Sequence, residues 1–185
     1  MVTVCIIVAN GSEDIEVVAT SDVLSRGGID VVIAGMEGSG NVKLAHKTVI
    51  VPDKSLEDVK TTLYDAVIIP GGMGGVKALS TNENVKEMLY NHQKNKKVIG
   101  SICAGPLVLS TFGIAAGSTL TSYPSVKDQL ISSDYKYKEE RVVVDRNLIT
   151  SRGPGTAIEF GLKLVEVLKN QDAVKGLAEQ MLVKL

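Results

Sequence analysis

Only two cysteines, Cys5 and Cys103, occur in 185 residues. That number builds neither a disulfide framework nor a zinc site. Histidine is as scarce. His46 and His92 lie far apart in dissimilar contexts, so no metal-ligand cluster is visible. Charge of one sign is also missing. Twenty Lys and Arg face 21 Asp and Glu, for a net charge of −1, which leaves no broad basic field for nucleic acid or an anionic membrane. No apolar run approaches the ~18 residues of a membrane-spanning helix. The opening MVTVCIIVANGSEDIE has no basic segment ahead of its apolar run and turns acidic at once, unlike a secretory signal. The expected location is the cytoplasm, where both thiols stay reduced. Repeats, low-complexity segments and long linkers are absent too.

What is present is the composition of a folded protein, 44% apolar and 22% charged, long enough to bury a core and expected to form one domain over residues 1–185. Val2–Ala9, Ile29–Ala34, Ala66–Ile69 and Val98–Ile102 are largely apolar runs of strand length. Strands apolar on both faces belong in a parallel sheet covered on both sides. Helical patterns fall between or after them, over Glu13–Arg26, Asn82–Asn95, Ala104–Phe112 and Gly155–Asn170. The first places Val17, Val18, Val23 and Leu24 on one side and stops at Gly27-Gly28. The alternation predicts an α/β fold, a doubly wound sandwich. Asn41–Val51 reads as a short hairpin or edge excursion, Val142–Ser151 as a hairpin, and Ser118–Tyr137 as an irregular segment that lines something.

Ligands of such sheets bind beyond the carboxyl ends of the strands, so three strand ends carry the chemistry. Val98–Ile102 runs into Cys103-Ala104-Gly105-Pro106, a strand–turn–helix elbow. A helix N-terminus behind the sulfur favours thiolate, so Cys103 is a candidate nucleophile; the alternative is a packed cysteine acting as a small hydrophobe. Ala66–Ile69 runs into Pro70-Gly71-Gly72-Met73-Gly74-Gly75, which is either a tight turn or a place where backbone N–H groups converge on an anion. Val2–Ala9 runs into Asn10-Gly11-Ser12-Glu13-Asp14-Ile15-Glu16. Glu13 and Asp14 suit a helix cap, whereas Glu16, between Ile15 and Val17, is a candidate acid/base for the thiol. Cys5, in mid-strand, is expected to be packed and inert, and His92, among polar residues at a helix end, to be solvated.

Taken together, these strand ends resemble the ThiJ/PfpI superfamily, and closely its DJ-one branch. The resemblance runs along essentially the whole chain, through Gly11–Glu16, Asp22-Val23-Leu24, Pro52-Asp53, Pro70-Gly71-Gly72, Ile102–Pro106 and Leu148–Thr156 with Glu159-Phe160. It implies a flavodoxin-like sandwich and a homodimer, with nuclear or mitochondrial pools beside the cytoplasmic one. It implies Cys103 as nucleophile and oxidation sensor, Glu16 as the acid bonded to its sulfur, and the Gly72 and Ala104 amides as an oxyanion site. Asn10, Gly71, Tyr123 and Pro154 fall around the substrate pocket, and Arg26 and His46 at positions near the dimer interface, His46 facing solvent or the partner's site. The implied activity is conversion of methylglyoxal or glyoxal to 2-hydroxy acids with no cofactor, metal or glutathione, the glyoxalase III or protein deglycase type. The alternative is a redox sensor or chaperone-like stress protein acting through oxidation of Cys103 to sulfinate. One departure stands out. Many members carry histidine before the proline of Thr121-Ser122-Tyr123-Pro124; here it is Tyr123. A phenol ionising near ~10 is a poor general base at neutral pH, so this segment provides no Cys-His-Glu triad.

Overall fold

The structure is a computed structural model that describes residues 1–184. In chain order its elements are β1 (Thr3–Val8), α1 (Asp14–Arg26), β2 (Asp30–Gly35), β3 (Val42–Lys43), β4 (Val49–Ile50), β5 (Lys54–Ser55), α2 (Leu56–Val59), β6 (Ala66–Ile69), α3 (Met73–Leu79), α4 (Glu83–Lys94) and β7 (Val98–Ile102). They continue with α5 (Pro106–Thr111), β8 (Thr119–Leu120), α6 (Lys127–Ser132), β9 (Lys136–Tyr137), β10 (Val142–Asp145), β11 (Leu148–Ser151), α7 (Ala157–Leu168) and α8 (Gln171–Gln180).

Seven strands form one sheet in the order β10-β11-β7-β6-β1-β2-β5. Every pairing in it is parallel except that of β10 with β11. The apolar runs alternate between two cores, as a pleat requires. Val4, Ile6, Val8 and Ile68 join Val17, Val23 and Leu24 of α1 and Phe160, Leu164 and Val165 of α7 on one face. Cys5, Ile7, Val67 and Ile69 join Met88 and Leu89 of α4 and Val108 and Leu109 of α5 on the other. The result is a mostly parallel α/β sandwich of flavodoxin-like type. Helices α1 and α7 approach closely because Gly161 leaves room for Val23, whose Cβ would lie 2.8 Å from a β-carbon there.

The chain departs from β1 to β2 on one side and returns to β6 on the other, so β1/β6 is the switch point where such sheets bind ligands. The loops after β1, β6 and β7 meet there.

Several expectations change. Val142–Ser151 is a hairpin, but its second strand pairs with β7 and extends the main sheet. Asn41–Val51 is the separate hairpin β3–β4. Ser118–Tyr137 holds β8, a 3-10 turn at Pro124–Val126, α6 and β9. Helix α3 forms within a glycine-rich stretch that reads as loop. Val18 is 51% exposed rather than on the buried side of α1. His92 is not solvated: it is fully buried, its Nε2 accepting the Tyr64 N–H at 3.2 Å and its Nδ1 lying 2.7 Å from the Met88 carbonyl. Both contacts are met only by the neutral ring protonated at Nδ1. No helix among the described residues is long and apolar enough to cross a membrane.

Candidate active site

Cys103 is the residue at which β7 ends, and its φ is +63°. A side chain in that region costs about 1–3 kcal/mol and persists only where neighbours fix the backbone. They do so on both sides. The Cys103 N–H donates to the Ser151 carbonyl at 3.0 Å and the Cys103 carbonyl accepts from the Tyr123 N–H at 2.8 Å. Behind the turn, a β-carbon on Gly105 would come within 2.6 Å of both the Ile69 carbonyl and Ser101 Oγ. Only glycine fits there, and the sharp turn lifts the thiol off the strand end.

Glu16 reaches the sulfur from α1. It is 1% exposed, and its Oε2 accepts the Gly71 N–H at 2.7 Å. Its Oε1 has no geometric hydrogen-bond partner among the described residues. Gly71 packs against both groups. A β-carbon on it would lie 2.6 Å from Cys103 Cβ, 3.0 Å from Sγ and 2.7 Å from Glu16 Oε2. Gly72, at φ +84°, turns the chain so that its own N–H and that of Ala104 both address the sulfur.

The charge balance of this pair differs from the elbow expectation. Helix α5 has six residues, too few for a strong dipole, and other forces prevail. Burial first, then the charge and hydrogen bond of Glu16, push the Cys103 thiol up to about 12, against the opposing Ala104 and Gly72 amides. Burial likewise raises the Glu16 carboxyl to about 7, although the Gly71 amide and Cys103 pull the other way. Burial disfavours the charged form of both groups, and the charge of either opposes ionisation of the other, so the two titrate as a coupled pair.

The sulfur opens onto a cavity of about 270 Å³ whose walls include Glu13, His46, Tyr123, Ser125 and Pro154. Ligand sites run from ~300 Å³ upward, so this one suits molecules of a few heavy atoms. A larger cavity of about 680 Å³ lies at the opposite end of β7, between Lys96, Lys97 and Arg146. Volume nominates the larger one, but Cys103 lines the smaller.

Not every candidate meets here. Asn10 is outside the cavity walls; its side chain binds Glu37 and accepts the Lys43 N–H at 2.8 Å, tying loops together. Arg26, at the far end of α1, pairs with Asp22 at 2.7 Å and takes no part in the cavity of its own chain. His46 lines its own chain's cavity, with Nε2 3.2 Å from Glu13 Oε2. Glu13, expected only as a cap, thus has a second partner, its cap contact to the Ile15 N–H being long at 3.4 Å. Met73 and Ser125 also line the cavity; nothing in their sequence context marks them. Among the described residues no group of three or more His, Cys, Asp or Glu side chains is arranged to hold a metal ion.

A family model described as the DJ-1/PfpI family matches residues 2–167. Protein dj-1beta of Drosophila melanogaster is 44% identical over 179 residues, spanning 96% of this chain and 95% of that protein. The Caenorhabditis elegans protein named glutathione-independent glyoxalase DJR-1.2 is 44% identical over 170 residues, spanning 92% and 90%. The crystal structure of Drosophila melanogaster DJ-1beta superposes with a TM-score of 0.97 at 42% identity, over 100% of this chain and 99% of the other. A cysteine elbow on a flavodoxin-like sheet, with a buried acid against the sulfur, defines the class of protein. The chain belongs to the DJ-1/PfpI family.

Proposed function

We propose that the chain is a cysteine-dependent carbonyl-stress enzyme that converts methylglyoxal and glyoxal to 2-hydroxy acids, working as a homodimer without metal, cofactor or glutathione. The observation that carries this reading is the Cys103 thiol held against the buried Glu16 carboxyl beneath two converging amides. The glyoxalase name of the Caenorhabditis elegans relative supports it.

The groups suit each step. Cys103 thiolate adds to the aldehyde carbon, and the Gly72 and Ala104 N–H groups receive the alkoxide that becomes the hemithioacetal. Glu16 moves the aldehyde-carbon proton to the neighbouring carbon through an enediol. That carbon is reduced from ketone to alcohol as the first is oxidised to a thioester on Cys103, so no external oxidant enters. Water then releases the 2-hydroxy acid and restores the thiol.

The test is lactate formation from methylglyoxal by wild type and Cys103→Ala, with thermal unfolding as the fold control. Wild type produces lactate and Cys103→Ala produces none; turnover by a clean Cys103→Ala preparation sinks the mechanism. Glu16→Gln lowers turnover by about 10²–10⁴-fold, and wild-type turnover in it reduces Glu16 to a positioning group.

A second reading, redox sensing, draws on the unpartnered Glu16 Oε1 and the two amides facing the sulfur, which together suit the oxygens of a sulfinate. Graded peroxide followed by mass spectrometry tests it. Two oxygens added at Cys103 with Cys5 untouched supports sensing, and oxidation of both thiols alike opposes it.

A further inference from the structure

Hydrolysis of a Cys103 thioester needs a base where water enters, and neither residue assigned by motif provides one. Glu16 lies on the closed side of the site at 1% exposure, committed to the sulfur and the Gly71 amide. Tyr123 offers a phenol, which is poorly suited to take a proton near neutrality.

A different residue stands at the mouth. The His46 side chain is 76% exposed, lines the same cavity as Cys103, and turns Nε2 toward Glu13 Oε2 at 3.2 Å. Glu13 itself is 7% exposed. Its carboxylate stands at ion-pair distance from Nε2 and holds that edge of the ring, while Nδ1 is the ring's other nitrogen able to take a proton.

The His46 backbone is fixed as firmly as a core element. Asp14, the neighbour of Glu13, accepts the His46 N–H at 2.7 Å and the Thr48 N–H at 3.1 Å through its two oxygens. The Ala45 N–H donates to the Ser12 carbonyl at 2.9 Å, and the Gly11 N–H to the Lys43 carbonyl at 2.9 Å. The β3–β4 hairpin is thereby bonded to the start of α1, the same helix that carries Glu16. One acid of the Glu13-Asp14 pair holds the imidazole and the other holds its backbone.

We infer that His46 is the general base for the hydrolytic half of the reaction, with Glu13 as the positioning residue that holds its ring at the cavity mouth. The inference rests on the reading of the chain as a thiol-dependent glyoxalase. Water oxygen bonds to the thioester carbonyl carbon while its proton passes to His46. The carbon–sulfur bond breaks, the thiolate returns to its place beside Glu16, and the 2-hydroxy acid departs. His46 then returns the proton to solvent, and no electron is gained or lost overall.

The experiment compares wild type, His46→Gln, His46→Ala and Glu13→Gln with methylglyoxal as substrate. Iodoacetamide labelling of Cys103 verifies an intact site in each. His46→Gln acylates Cys103 in the first turnover, but steady lactate formation falls by about 100-fold, the low end for a general base. A thioester, recognised by cleavage with hydroxylamine, accumulates on Cys103. Added imidazole restores His46→Ala, and Glu13→Gln shows a smaller loss that imidazole does not repair. Wild-type turnover in His46→Gln, or slowed turnover with no accumulated thioester, overturns the inference while leaving the glyoxalase reading in place. No lactate from wild type, with Cys103 still labelled normally, overturns the glyoxalase reading and this step with it.

Discussion

Gly71→Ala places one methyl group between Cys103 and Glu16. The backbone tolerates it, because Gly71 is outside the positive-φ glycines, so the whole effect is steric. The new carbon would sit 2.6 Å from Cys103 Cβ and 2.7 Å from Glu16 Oε2, about 1 Å inside the ~3.5–4.0 Å of an ordinary carbon contact. Cys103 cannot retreat, because bonds to Ser151 and Tyr123 clamp its turn. Glu16 yields instead, and in yielding it loses the 2.7 Å bond from Gly71. Overpacking costs about 1–3 kcal/mol, and a buried carboxyl losing its donor places this case near the upper end, about 3 kcal/mol. At about 2–4 °C per kcal/mol for a chain of this size, Tm falls by about 6–12 °C. Thermal unfolding reads the stability, and iodoacetamide labelling with mass spectrometry reads the thiol, whose alkylation quickens as the Glu16 charge that holds its pKa up is displaced. Gly176→Ala is the control: open space surrounds that helical site, and alanine there is stabilising by up to ~1 kcal/mol. Wild-type Tm and wild-type alkylation in Gly71→Ala would refute the packing of Gly71 against the pair.

Two further predictions concern pH and run in opposite directions. Glu16 is raised to about 7 in the folded chain from an ordinary 4.5. The folded state holds that proton more tightly, so the stability it adds is complete below 4.5 and is lost as pH rises to about 7. The loss is at most about 3 kcal/mol, and denaturant titrations of Glu16→Gln against wild type show it as a drop present in wild type alone. Burial lowers His92 below its ordinary 6.5, so the stability it contributes is present above 6.5 and is lost as pH falls toward the lowered value. Protonation there turns a donor against the Tyr64 N–H. His92→Ala orphans that amide and opens a void, costing about 2–4 kcal/mol in the same titrations; a cost under 0.5 kcal/mol would contradict the buried bond.

The central strands were readable because both of their faces are largely apolar, so burial on two sides is written in most residues of β1, β6 and β7. Cys103, Glu16 and the Gly71-Gly72 turn stand out as candidates because they follow strand ends at a switch point, and the structure brings them together there. The remainder depends on partners distant in sequence. His92 is buried because the Tyr64 amide, 28 residues away, meets it. His46 reaches the site through a hairpin bonded to Ser12 and Asp14, a pairing that no local pattern announces. Helix α3 forms despite its glycines because Gly75, Val76 and Leu79 pack beneath it. The thiol's titration was misjudged from the elbow because the helix behind it is short, while burial and the Glu16 charge are strong.

That Cys103 and Glu16 titrate as one coupled pair and share a proton above the first step is the central prediction, and the pH dependence of Cys103 alkylation, with buried Cys5 as the unreactive internal control, tests it most directly. In wild type the rate rises through about 7, as the pair loses its first proton, and then levels off while one proton remains shared. In Glu16→Gln that step disappears and the rate climbs steadily with pH, as for a thiol titrating alone. Identical profiles in the two proteins, or a wild-type rate that climbs without a plateau, would contradict the pairing on which the proposed chemistry stands.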